Sequence, residues 1–180
     1  MRLALLWMVV LGACSAAPSE PVAQESESQQ APQSEVVALD SAQWYLNKID
    51  SAVATEGDLE RARPFLIAAS DYIGSDPKRL MQAGLVLMSG SKDQLYGVNY
   101  LILLTSKFPE HRFAPEALMQ LALYFENTLA DTERSTAFLE ALIKRYPQHE
   151  LVPNVLALLE LNSGGKDKEL ETVKNWLNKN

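Results

Sequence analysis

The stretch 108–147, FPEHRFAPEALMQLALYFENTLADTERSTAFLEALIKRYP, opens on Phe108-Pro109 and closes on Tyr146-Pro147. The distance between the two prolines, 147 − 109 = 38, is a period of the chain. Shifted by that distance, Leu80, Met81 and Gln82 fall on Leu118, Met119 and Gln120. Leu85 falls on Leu123, Asp93 on Asp131, Leu101 on Leu139, Leu104 on Leu142, His111 on His149 and Pro115 on Pro153. A fixed period of this size marks stacked supersecondary units, each too small to bury its apolar face without its neighbours.

Within the period the apolar spacing is helical, and no long segment alternates with period 2. Ala42, Tyr45, Leu46, Ile49 and Val53 form one stripe on a first helix. Gly57-Asp58 breaks that pattern, with Asp58 expected to cap a second helix over 59–73 that carries Pro64 and kinks or starts late there. Asp76-Pro77 is a cap followed by proline in the first turn, so a helix starts there and runs over 77–88. Further helices are expected over 92–107, 113–127, from the Asp131 cap to about 145, and over 151–161. A last one over 166–177 places Leu170, Val173, Trp176 and Leu177 on one face, as a cap for the end of the stack.

The amino end has a different character. Met1-Arg2 precedes nine apolar residues, Leu3 to Leu11, about half of the ~20 that a spanning helix needs. It therefore reads as an export signal, 1–13. Leu11-Gly12-Ala13-Cys14 follows, and Cys14 is the chain's one cysteine, so no intramolecular disulfide and no cysteine metal site can form. This tetrapeptide resembles the bacterial lipobox, which implies lipidation (diacylglycerol and palmitate) at Cys14. Ser15, rather than Asp, after it implies delivery to the outer membrane, facing the periplasm. The alternative is an ordinary signal cut after Ala17. Residues 14–35 hold three prolines, no basic side chain and no aromatic, and are expected to be a lipidated, disordered tether reaching ~60 Å when partly extended. The helical repeat domain is then 36–180.

Net charge is −7, with no basic run, which argues against nucleic-acid binding. No phosphate loop is present. His111 and His149 are repeat equivalents and read as structural rather than as a zinc pair. Asp131 and Glu133 sit in a helix's first turn, where they favour the dipole. No catalytic residue, metal site, cofactor or small-molecule substrate is expected.

The periodic residues resemble the tetratricopeptide repeat, a helix pair. The family's positions fall on Leu118, Leu121-Ala122, Phe125, Ser135, Leu139, Leu142 and Pro147, and one unit earlier on Leu80, Ala83-Gly84, Leu87, Gly97, Leu101, Leu104 and Pro109. The period is longer than the family's usual 34, and Leu stands where its Trp would open each unit. The longer form resembles bacterial envelope lipoproteins of this class, including the repeat lipoprotein of the outer-membrane barrel-assembly machine and the periplasmic coordinator linked to Tol-Pal. The resemblance implies an all-α, right-handed stack of antiparallel helix pairs, about three to four units with a C-terminal capping helix. It also implies a concave groove lined by first helices. Lys78, Met81, Leu85, Met88, Glu116, Met119, Leu123, Glu126 and Asn127 point away from the packing stripe and would form that groove. Methionines and leucines there, with charged margins, suit a docked peptide of an envelope protein. The alternative is a self-associating structural lipoprotein whose own helices fill the inner face.

Overall fold

The computed structural model describes residues 33–162 together with 174 and 175. Among the described residues there are eight α-helices and no strand. They are α1 (Gln33–Asp50), α2 (Glu56–Ala68), α3 (Ser70–Gly74), α4 (Pro77–Met88), α5 (Gln94–Lys107), α6 (Phe113–Asn127), α7 (Thr132–Arg145) and α8 (Val152–Asn162). Among them, none is long and apolar enough to cross a membrane. The export signal, Cys14 and most of the tether lie outside the described residues, although α1 already begins three residues inside the stretch assigned to the tether. The expected last helix also lies outside them, save for Lys174 and Asn175, which are helical.

Helix starts follow local chemistry. Asp76 caps α4 by accepting the Arg79 N–H at 2.9 Å, and Asp131 caps α7 by accepting the Arg134 N–H at 3.0 Å. Asp93, the repeat partner of Asp131, makes no such bond. At the second helix the expectation needs correction. Thr55, not Asp58, is the cap. Its hydroxyl accepts the Asp58 N–H at 3.2 Å while the Asp58 carboxylate accepts the Thr55 N–H at 2.9 Å, a reciprocal capping box. Lys48 at 2.8 Å also reaches this buried carboxylate from α1, and Arg61 does so at 2.9 Å. The Lys48 bond, followed by those from Thr55, holds the Asp58 carboxyl far below the usual carboxylate range.

The second helix also divides in a different place. It passes through Pro64 and breaks at Ala69, whose φ of −92° and ψ of 36° leave the helical region. A break strands carbonyls, and the Leu66 carbonyl is recovered by Tyr100 of α5, whose buried hydroxyl donates to it at 2.8 Å. Burial pushes that hydroxyl's pKa up to about 12. Val53 likewise departs from expectation. α1 stops at Asp50 in a left-handed turn, with Ala52 at φ 54° and the Val53 N–H bonded to the Lys48 carbonyl at 3.1 Å. Val53 is therefore exposed beyond the stripe, while Ala42 and Leu46 are buried.

Helices next to one another in sequence pack together: α1 with α2, α4 with α5, α6 with α7, and then α5 with α6 and α7 with α8. α4 also touches α1 and α6. In the α4–α5 hairpin the backbones meet. A Cβ on Gly97 would lie 2.5 Å from the Gly84 carbonyl oxygen and 2.7 Å from the Met88 nitrogen, so only glycine fits. Cross-braces close the second helix of each pair. Lys107 donates to the Gly74 carbonyl at 2.9 Å, and its repeat equivalent Arg145 donates to the Thr105 carbonyl at 3.4 Å. Buried Arg63 donates to the Leu87 carbonyl at 3.1 Å and the Ser89 hydroxyl at 3.2 Å, capping the end of α4.

The apolar interior forms two clusters. The larger gathers α1 to α6, with Leu66, Ile73, Leu80, Leu87, Leu101 and Leu104 fully buried. The smaller gathers α6, α7 and α8 around Leu139, Leu142 and Val155. α6 serves both, Leu121 and Tyr124 facing the first, Leu118 and Ala122 the second.

Candidate partner-binding face

The first helices of successive pairs are α1, α4, α6 and α8, and the residues expected to line a groove lie on α4 and α6. The structure divides them. Met81 and Met119 are 8% and 9% exposed and belong to the two apolar clusters, Met81 to the larger and Met119 to the smaller. Their assignment to an open strip is therefore corrected. The physical reason is that both helices are hemmed in on several sides: α4 packs on α5, on α1 to α3 and on α6, and α6 packs on α7, α5 and α4. A residue one step off the main stripe then faces the adjoining helix rather than solvent.

The others remain accessible in graded fashion. Leu85 is 37% exposed, whereas Leu123 and Met88 are half-buried. Asn127 is exposed, and Glu116 and Glu126 are half-buried. Two of the polar residues tie helices together. Lys78 bonds Asp50 at the end of α1 at 2.7 Å, and Gln82 donates to the same carboxylate. Lys78 first, with help from Gln82, draws the Asp50 pKa below its usual value. Glu126 accepts from Thr132 of α7 at 3.1 Å and from Asn162 of α8 at 3.4 Å. What remains open and apolar on these helices is Leu85, while Met88 packs beside Gly97 at the α4–α5 crossing and Leu123 packs against the smaller cluster.

The two histidines do the same job twice. Nδ1 of His111 accepts the Phe113 N–H and Nδ1 of His149 accepts the Leu151 N–H, both at 3.3 Å. Around them the backbone repeats bond for bond. His111 and His149 donate to the carbonyls of Phe108 and Tyr146, both at 3.0 Å, and accept from Ala114 and Val152 at 2.8 and 3.0 Å. One ring nitrogen of each histidine is thus committed to starting a helix. Among the described residues no group of three or more acidic, histidine or cysteine side chains is placed to hold a metal ion.

The sequence reading missed one recess. The amino-terminal half of α1 lies over α2 and leaves an open cavity of about 480 Å³ lined by Ser34, Val37, Ala38, Pro64, Phe65 and Ala68. The signal was available in Val36 and Val37, which interrupt a polar stretch just before the Ala42 stripe and stand 46% and 58% exposed.

No family model, curated protein or solved structure matches the chain.

Proposed function

We propose that this chain is a non-enzymatic adaptor, lipid-anchored through Cys14 to the bacterial outer membrane and facing the periplasm, that holds an envelope protein against the first helices of a tetratricopeptide-like stack. The observation that carries this reading is the bond-for-bond repetition of the turn at His111 and His149, which is what a row of equivalent helix pairs requires. Such rows present long surfaces for protein partners and few enclosed pockets. Exposed Leu85, with half-buried Leu123 on the next first helix, is the patch at which an apolar helix or strand from a partner would dock. Acyl chains on Cys14 would supply the membrane anchor.

The test has two parts. Mass spectrometry of the purified chain should find an acylated cysteine as the mature N-terminus, lost in Cys14→Ala. Affinity capture from gently solubilised envelopes should recover a defined protein set with the native chain and lose it with Leu85→Asp, which keeps the parent melting temperature. Capture unchanged by Leu85→Asp removes the patch from the reading.

One observation favours the second reading, a structural lipoprotein whose own helices fill the inner face. Asp50 of α1 clamps Lys78 and Gln82, and Met81 is covered. On that reading Leu85→Asp leaves the captured proteins unchanged.

A further inference from the structure

α5 is the second helix of its pair, and its inward side is fully used. Leu101 and Leu104 are buried, Gly97 meets α4, and Tyr100 reaches Leu66. Its outward side is apolar as well. Leu95 is 69% exposed, Tyr96 51%, Ile102 41% and Leu103 37%. With exposed Asn99 and Ser106 they fall at helical spacing on one face, and residues 94–106 contain no charged side chain at all.

The repeat supplies an internal control. Adding 38 to each position gives the outward face of α7, where Glu133 stands for Leu95, Arg134 for Tyr96, Glu140 for Ile102 and Lys144 for Ser106. All four of those α7 residues are exposed. The fold therefore tolerates charge at the positions of Leu95, Tyr96 and Ile102, and those apolar residues of α5 are not required by packing within the chain, whereas Leu103, whose equivalent is Ala141, also lies against Gly74. A solvated helix has no use for them.

We propose that the outward face of α5 is a homodimer interface, with α5 of one copy laid antiparallel against α5 of a second copy across a two-fold axis at Asn99. Three observations select a second copy as the occupant. The face is neutral in a chain of net charge −7, so it is where two identical acidic molecules approach with least repulsion. It is self-complementary about its centre: Leu95 and Tyr96 lie before Asn99 and Ile102 and Leu103 after it, so antiparallel contact sets apolar against apolar and amide against amide. A polar residue at the middle of an apolar seam fixes register, as a buried asparagine does in paired helices. Antiparallel contact also sets the positive end of one helix dipole beside the negative end of the other. The size is adequate. The four apolar residues leave roughly 400 Å² open per copy, in the range of the largest patch on a typical monomer. A pair brings together roughly 800 Å², which the polar residues and helix flanks extend to the ~1,000 Å² that a specific interface needs.

The test uses the full chain in mild detergent. Asn99→Cys, treated with a short bismaleimide, should join into a species of twice the chain mass. Ala137→Cys, the equivalent site on α7, should stay at background, which the unsubstituted chain with Cys14 in place measures. Adding Leu95→Glu and Ile102→Glu should lower the yield at least tenfold with an unchanged melting curve, since α7 carries glutamate at both places. Independently of any variant, sedimentation of the native chain should show mass doubling as concentration rises. A single-chain mass at every concentration overturns the proposal, as does equal joining through Ala137→Cys. Joining of Asn99→Cys only to a different protein, or partition of the Cys14→Ala chain to phosphatidylglycerol vesicles that Leu95→Glu abolishes while the chain stays monomeric, overturns it in favour of another occupant.

Discussion

The α4–α5 and α6–α7 hairpins occupy equivalent stretches of the repeat, yet they are locked differently. Where α4 and α5 cross, Gly84 and Gly97 bring the backbones together, and a methyl on Gly97 would meet backbone atoms of α4 at 2.5 and 2.7 Å. At the same two places α6 and α7 carry Ala122 and Ser135, both buried. The second hairpin therefore has a Cβ at each of the two places where the first has none. Tyr100 and its equivalent Phe138 differ for a related reason. Tyr100 packs beside a broken helix and donates to the stranded Leu66 carbonyl. Phe138 packs where the equivalent carbonyl, that of Leu104, is already held by the Phe108 N–H at 2.9 Å, and it stacks on Phe125 with ring centroids 5.4 Å apart instead. One register thus accommodates two kinds of closure, depending on what the preceding unit leaves unsatisfied.

The contrast can be pressed by substitution. The largest effect is expected for Gly97→Ala, at about 3 kcal/mol, because the obstructing atoms are backbone and the helices must part. Urea unfolding that leaves this variant as stable as the parent would show that the crossing is not close. Tyr100→Phe, which makes α5 resemble α7, should cost about 2 kcal/mol by leaving the Leu66 carbonyl without its donor. Calorimetry would detect that loss as a melting temperature lower by several degrees, and a neutral result would mean that water replaces the hydroxyl. Gly84→Ala should cost about 1 kcal/mol. Its new methyl meets mainly the Leu101 side chain at 2.6 Å, which can turn aside, and helix propensity returns part of the loss. The smallest effect belongs to Ser135→Ala, under about 1 kcal/mol, since a Cβ is already accommodated there and only a hydroxyl is lost. A Ser135→Ala loss matching that of Gly97→Ala would erase the distinction between the hairpins.

What the sequence disclosed and what it hid separate along the range of the forces involved. The starts of α4 and α7 were legible because Asp76 and Asp131 bond to nitrogens three residues away. The equivalence of His111 and His149 was legible because it is written in the period. The break at Ala69 was not, since its stranded carbonyl is satisfied by Tyr100, 34 residues further on from Leu66, while Pro64, the nearer signal, lies inside α2 and does not delay its start. The Thr55–Asp58 box is local and readable, and Asp58 resembles a cap because it follows the break at Gly57, although it fills the third position of the box. Met81 and Met119 show the limit for the candidate site. A helix's own periodicity gives the direction of its main stripe, but it does not give the number of helices around it. The exposed face of α5 was within reach, because the chain contains its own comparison in α7.

The sharing of α6 between the two apolar clusters has a consequence in time. Opening α7 and α8 exposes Leu118 and Ala122 but leaves Leu121 and Tyr124 seated against α5, so the carboxyl-terminal helices can detach while α6 stays in place. Release of α6 itself requires both clusters to give way. Amide protons of α6 should thus exchange with solvent at the pace of whole-molecule unfolding, and those of α8 at a faster pace of their own. The molecule then has two clocks, and α6 keeps the slower one.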